Sequence, residues 1–216
     1  MRNISYSTLI AAKSSARDSA GTENTVSGAI SSILSGYNNN IFNACSLIGG
    51  GGNHTVCSVN SFIGGGDTNT ILKLAGCSFI GGGGSNSICD GAAYGFIGGG
   101  QLNQICANAT WNVIGGGDKN CIYNGANYAS VLGGGSNHVS GSFSSILGGC
   151  GNSDGGFNWA GVFGCNVTGV LPCAFHANNF VAQNMAGPYT GTPLVPTGGL
   201  YYCIDTLTGL CHVLIQ

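Results

Sequence analysis

Charge is what this 216-residue chain has least of: Asp, Glu, Lys and Arg together make up 6% of it, against about a quarter in ordinary soluble domains. A monomer with so little charge is poorly dispersed in water, which points to a surface largely covered by other copies. The five Lys and Arg form no basic patch. Nothing is therefore available to neutralise phosphates, and nucleic-acid binding is excluded. No run of 18 apolar residues exists, so a membrane-spanning helix is excluded. The opening Met1-Arg-Asn-Ile-Ser-Tyr-Ser7 lacks an apolar leader core, and no signal peptide is expected. Proline occurs only four times and the 41 glycines follow no G-X-Y period, which excludes collagen. Disorder is excluded as well, because 43% of the chain is hydrophobic and Ile, Leu, Val and Phe recur at fixed places.

What is present is a repeat. An apolar pair followed by three glycines stands at Leu47-Ile48, Phe62-Ile63, Phe79-Ile80, Phe96-Ile97, Val113-Ile114 and Val131-Leu132, with weaker copies at Ile33-Leu34, Ile146-Leu147 and Val162-Phe163. Anchored on the second apolar residue, the copies are spaced 14, 15, 17, 17, 17, 18, 15 and 16 residues apart. Ser recurs two residues before the anchor. Asn69, Asn86, Asn103 and Asn120 stand six after it and Val56, Ile71, Ile88, Ile105 and Ile122 eight after it. In the copies at Leu34 and Leu132 one residue looks missing, so that Asn39 and Asn137 arrive one step early.

A unit of 14–18 residues is too short for helix-pair repeats and suits one coil of a parallel β-solenoid, two short strands joined by turns. Glycine supplies the tight turn, and the Asn after it tolerates a left-handed backbone. The expected fold is all-β, about nine such coils. Residues 1–20 would form an irregular N-terminal attachment segment. There Leu9-Ile10-Ala11 resembles an anchor and Lys13 to Ala20 an insertion. Residues 21–171 would be the solenoid and 172–216 a C-terminal cap. The cap would hold an extended Gly187–Gly199 loop and a β-hairpin from Leu200–Asp205 and Leu210–Ile215, closing an end that otherwise leaves strand groups unpaired.

Successive strand residues point to opposite faces. In every pair one member must face the coil's interior and the other must face out, yet both are large and apolar. The pairs Ile33, Leu34, Leu47, Ile48, Phe62, Ile63, Phe79, Ile80, Phe96, Ile97, Val113, Ile114, Val131, Leu132, Ile146, Leu147, Val162 and Phe163 thus form a core row and an outward oligomer stripe. An exposed stripe of that kind calls for partner chains. Three solenoids around a common axis would bury it, and two back to back would also serve. Asn69, Asn86, Asn103, Asn120 and Asn137 are expected to stack as an amide ladder.

The segments Asn60-Ser-Phe-Ile-Gly-Gly-Gly66 and Ala129-Ser-Val-Leu-Gly-Gly-Gly135 resemble the head domains of trimeric autotransporter adhesins. They more closely resemble the Gly/Asn-rich repeat proteins of giant viruses and phage tail fibres. The resemblance covers roughly residues 20–170. It implies a homotrimer of left-handed β-rolls or an intertwined β-helix, serving as a structural fibre or spike module on a virion surface. The chain departs from the bacterial adhesins in lacking a leader and a membrane anchor after the repeats, and from some fibres in lacking a C-terminal chaperone domain. Eleven Cys without a leader fit a virion protein made in a reducing cytosol.

Chemistry finds little support. No Lys follows the glycines as a phosphate loop requires. Asn stands where a calcium-binding coil would place carboxylates. Cys57, Cys89 and Cys106 share one repeat position and Cys45 and Cys77 another, which reads as stacked thiols. The favoured reading is buried free Cys packing as small hydrophobes. A disulfide such as Cys89–Cys106 across one coil is the alternative. Zinc clusters of C-x₂-C type are absent. His54 and His138 read as turn residues. No catalytic triad can be assembled, the seven acids do not cluster as polysaccharide cleavage needs, and Thr68 and Thr70 are not echoed as an ice-binding row. The expectations are therefore no enzyme activity, no cofactor and no metal. The partners expected are sister chains and other virion or filament proteins. The alternative is a receptor- or glycan-binding adhesin using Tyr94, Trp111, Tyr123, Tyr128 and Trp159.

Overall fold

The computed structural model describes residues 21–178 in full and the strands Arg17–Asp18, Leu200–Ile204 and Cys211–Ile215 by their backbone. The chain divides into two units, 1–178 and 179–216.

The first unit is a parallel β-solenoid of about ten turns. One sheet has eleven strands, running from Arg17–Asp18 through Phe62–Ile63 and Phe96–Ile97 to Phe175–Ala177. A second has eight, from Thr25–Val26 to His138–Val139. Each strand pairs in parallel with its counterpart one coil on, Ile63 with Ile80 and Ile88 with Ile105, for example. Single bridges such as Asp67 to Gly84 to Gln101 continue the stacking between the two sheets.

The register corrects the repeat frame. Ile33 pairs with Ile48, Ile114 with Val131, Val131 with Ile146, and Ile146 with Val162. In these four copies it is the first apolar residue that faces inward. Ile33, Val131, Ile146 and Val162 are fully buried, while Leu34, Leu132, Leu147 and Phe163 stand out in solvent. The anchors are then Ile33, Ile48, Ile63, Ile80, Ile97, Ile114, Val131, Ile146 and Val162, and coils are 15 or 17 residues long, with one of 16. No residue is missing, since Asn39 and Asn137 stand six after Ile33 and Val131 as elsewhere. At the N-terminus Asp18 pairs with Ile33, so Arg17–Asp18, expected within an insertion, is a coil strand, with Asn24 six residues on; the rest of 13–20 lies outside the described residues. Leu9-Ile10-Ala11 lies outside the described residues.

Two facing rows form the core: the anchors, and Ile41, Val56, Ile71, Ile88, Ile105, Ile122 and Val139, all without exposed surface. Each such side chain contributes about 1.5–3 kcal/mol by leaving water. The Asn ladder seals one corner. Asn86 Nδ2 donates to Gly82 O at 3.0 Å in its own coil and to Gly100 O at 2.9 Å in the next. Its Oδ1 accepts from Asn103 N at 3.0 Å, and the pattern repeats at Asn69, Asn103, Asn120 and Asn137. From Ile33 to Ile146 the residue three after each anchor has to be glycine: Gly83 has φ +85°, and a Cβ there would collide with the carbonyl of Gly100.

The inner row ends at Asp154, which takes the place of the next Ile. Fully buried, it accepts from Ser140 N and Gly156 N with Oδ1, both at 3.0 Å, and from Gly141 N with Oδ2 at 2.6 Å. The first sheet continues beyond residue 171, because Phe175–Ala177 pairs with Gly161–Cys165. In the second unit Leu200–Ile204 pairs antiparallel with Cys211–Ile215; the loop predicted over 187–199 lies outside the described residues. Among the described residues no helix is long and apolar enough to cross a membrane.

Candidate functional site

Three features of the solenoid's outer surface carry chemistry. The first is the apolar stripe on the eleven-stranded sheet. In the middle coils it consists of the residue before the anchor: Leu47, Phe62, Phe79, Phe96 and Val113. In the outer coils it shifts to the residue after the anchor: Leu34, Leu132, Leu147 and Phe163. The two half-rows join because the Phe rings lean over the glycine that follows the anchor. The ideal Cβ position of Gly81 lies 3.3 Å from Phe79 Cε1, and that of Gly98 lies 3.4 Å from Phe96 Cε1. Phe62, Phe79 and Phe96 stack with centroids 5.2 and 5.1 Å apart. Leu34, Phe96, Val113, Leu132, Leu147 and Phe163 are exposed, Leu132 to 55%, while Leu47, Phe62 and Phe79 are half-buried; the stripe runs along nine coils, roughly 40 Å at the usual strand spacing.

The second is a ring ladder three residues before the anchors. Tyr94, Trp111, Tyr128, Phe143 and Trp159 stack at 3.8, 6.1, 5.0 and 4.3 Å, with interplanar angles of 4–7°. All five hold a left-handed backbone, φ 56–62°, which side chains of this bulk rarely adopt; the coil geometry imposes it. Four of the five aromatics proposed for ligand contact thus come together and are joined by Phe143. Tyr123 does not join them. It lies on the other sheet, 5.5 Å from the His138 ring, and its hydroxyl pKa is raised, first by burial and then by Cys121 and Cys106.

The third is a set of half-buried thiols on the outward side of the eight-stranded sheet. Cys106 Sγ lies 3.4 Å from Cys121 Sγ, and Gln104 Nε2 donates to Cys89 Sγ at 3.2 Å. Hydrogen bonding from Cys121 lowers the Cys106 pKa, while the same contact and burial push Cys121 up. The picture of uniformly buried thiols is corrected: Cys45 and Cys77 are exposed, because their position is the outward left-handed corner that the rings occupy elsewhere. Cys89 and Cys106 are not bonded to each other. Among the described residues the disulfide joins Cys150 to Cys165, in register on adjacent coils with Cα atoms 4.7 Å apart.

His138 is a strand residue rather than a turn residue. His54 fills the ladder place of an Asn, fully buried. Its Nδ1 accepts from Asn69 N at 3.1 Å, but Nε2 has no partner. Burial lowers its pKa and keeps the ring neutral. Among the described residues no three His, Cys, Asp or Glu side chains converge as a metal site. The sequence matches no family model and no curated protein.

Proposed function

We propose that the chain is a structural fibre or spike module that assembles as a homotrimer through its outward apolar stripe. The reading draws on the resemblance of its repeats to viral and phage fibre proteins, which makes a virion surface its expected place. The observation that carries it is the stripe itself. Nine consecutive coils each present a large apolar side chain outward, in a chain with 6% charged residues. Soluble monomers rarely leave so long a contiguous apolar surface open, and three parallel rods around an axis would cover it. The C-terminal hairpin serves as the cap that an open array end requires.

Glycan binding on the same scaffold is the weaker reading. Sugar rings stack on aromatic faces, and within the ladder those faces are spent on one another, leaving edges outward. The test is the triple replacement of Phe62, Phe79 and Phe96 by Ser, with mass measured by sedimentation equilibrium. The variant is expected to keep the wild-type β spectrum and to sediment as a monomer. A variant that associates as the wild type does would contradict the reading.

A further inference from the structure

One cavity remains outside this account. It measures about 350 Å³ and opens where the ring ladder stops, beneath Tyr94. One face of the Tyr94 ring lies on Trp111 at 3.8 Å. The ladder place one coil earlier is Cys77, which has no ring, so the other face of Tyr94 is left to line the cavity with Val59, Leu74 and Ala93.

The cavity originates in a change of coil length. The coil carrying Ser58 belongs to the 15-residue kind, and the next one, carrying Leu74 and Gly76, is the first of the 17-residue kind. The wider corner above does not follow the narrower one below, and a gap is left at the step. Leu74, held at φ 58° and 82% exposed, forms its outer wall. At its inner end lies Ser58, whose side chain is 2% exposed and whose Oγ has no hydrogen-bond partner. An unpaired buried hydroxyl is destabilising, and a bound polar atom would remove that cost. Within the described residues the only other buried side-chain atom in this condition is His54 Nε2.

The geometry points to a binding site for a small phenol. The aromatic ring lies as a sixth rung on the free face of Tyr94, and the ligand's hydroxyl pairs with Ser58 Oγ. The volume falls in the range of small-molecule sites, and a mostly apolar lining with few polar groups, here Ser58 and Asn43, is their usual composition. The class follows from the wall: a flat ring matches the ladder's spacing and the Tyr94 face, and a ring-borne hydroxyl reaches what the ladder cannot satisfy. The site neither requires nor blocks assembly through the stripe.

Isothermal titration of the full chain with p-cresol and with toluene tests the assignment. Expected is one p-cresol site per chain with a dissociation constant below about 1 mM, and toluene about fivefold weaker, the worth of one hydrogen bond. Ser58→Ala should bring p-cresol down to the toluene value and leave toluene unchanged. It should not harm folding, since Ala75 and Ala92 fill the same place in the longer coils. Gly76→Val should abolish binding of both. A Cβ at Gly76 sits at ordinary contact distance, 3.4 Å from Val59 Cγ2 and 3.8 Å from Ser58 Oγ, so Gly76→Ala is the fallback if the larger side chain prevents folding. No saturable p-cresol binding, equal affinity for the two probes, or undiminished binding by both Gly76 variants would overturn the assignment.

Discussion

The 15-residue coils between Ile33 and Ile63 and the 17-residue coils between Ile63 and Val131 are built on one scaffold and differ at one corner. Ile48 and Ile97 are equally buried. Asn39 and Asn103 each span two coils, donating to Gly51 O at 3.1 Å and to Gly117 O at 2.9 Å and accepting from the next coil's backbone at 3.0 Å. The two extra residues form a turn after the second strand, seen as Ala92 N donating to Cys89 O at 3.1 Å and Ala126 N to Tyr123 O at 3.2 Å. The turn adds a core alanine, Ala75, Ala92, Ala109 or Ala126, where the shorter coil places Ser58. The stacking register therefore belongs to the inner rows and the Asn ladder. Variation is confined to the corner where the rings and the cavity lie.

The comparison breaks first if the shared ladder is not equivalent in both regions. Asn39→Ala and Asn103→Ala are each expected to cost about 3 kcal/mol, since each strands a backbone N–H of the next coil and a carbonyl of its own. Urea unfolding of the two variants should give similar losses; a large loss in one alone would mean that the coil types are not held together alike.

A smaller effect separates the corners. Tyr128→Ala removes ring contacts with Trp111 and Phe143 and should cost about 2 kcal/mol. Tyr128→Gly should recover about 1 kcal/mol of that, because φ is 56° and glycine adopts it without penalty. At Asn60, the 15-residue counterpart with φ 55°, no ring is lost, and Asn60→Gly should be close to neutral in thermal unfolding.

The smallest effect concerns His54. Replacement by Asn supplies the two missing donor bonds and should stabilise by about 1 kcal/mol near pH 7. His54 has a lowered pKa in the folded chain, so the unfolded chain binds the extra proton as pH falls through about 6.5. Wild-type stability should accordingly drop below that pH, and His54→Asn should flatten this part of the profile. An unchanged profile would remove His54 as its source.

The doublets, the Gly triplets and the Asn period made the solenoid legible in the sequence, because core, turn and ladder each restrict residue type. The phase of a doublet was not legible where both members are aliphatic. Nothing intrinsic to Ile33-Leu34 or Val131-Leu132 tells which side faces in; that follows from stacking on neighbouring coils, and Asn39 and Asn137 are the residues that reveal it. The one-residue error hid the ring ladder. Measured from Leu132, Leu147 and Phe163, the residues Tyr128, Phe143 and Trp159 fall out of line with Tyr94 and Trp111. The Cys150–Cys165 pair was obscured for a different reason: the register shifts after Ile146, so residues 15 apart come into line where the anchors are 16 apart. Ser58 and its cavity depend on a step between coils of unequal length, which no single repeat contains.

Self-association through the stripe is the claim that the proposed fibre role rests on, and the mass of the purified 216-residue chain in solution tests it most directly. Measured by light scattering across micromolar concentrations, it should be three times that of one chain, under reducing and non-reducing conditions alike. A single-chain mass throughout that range would contradict the account.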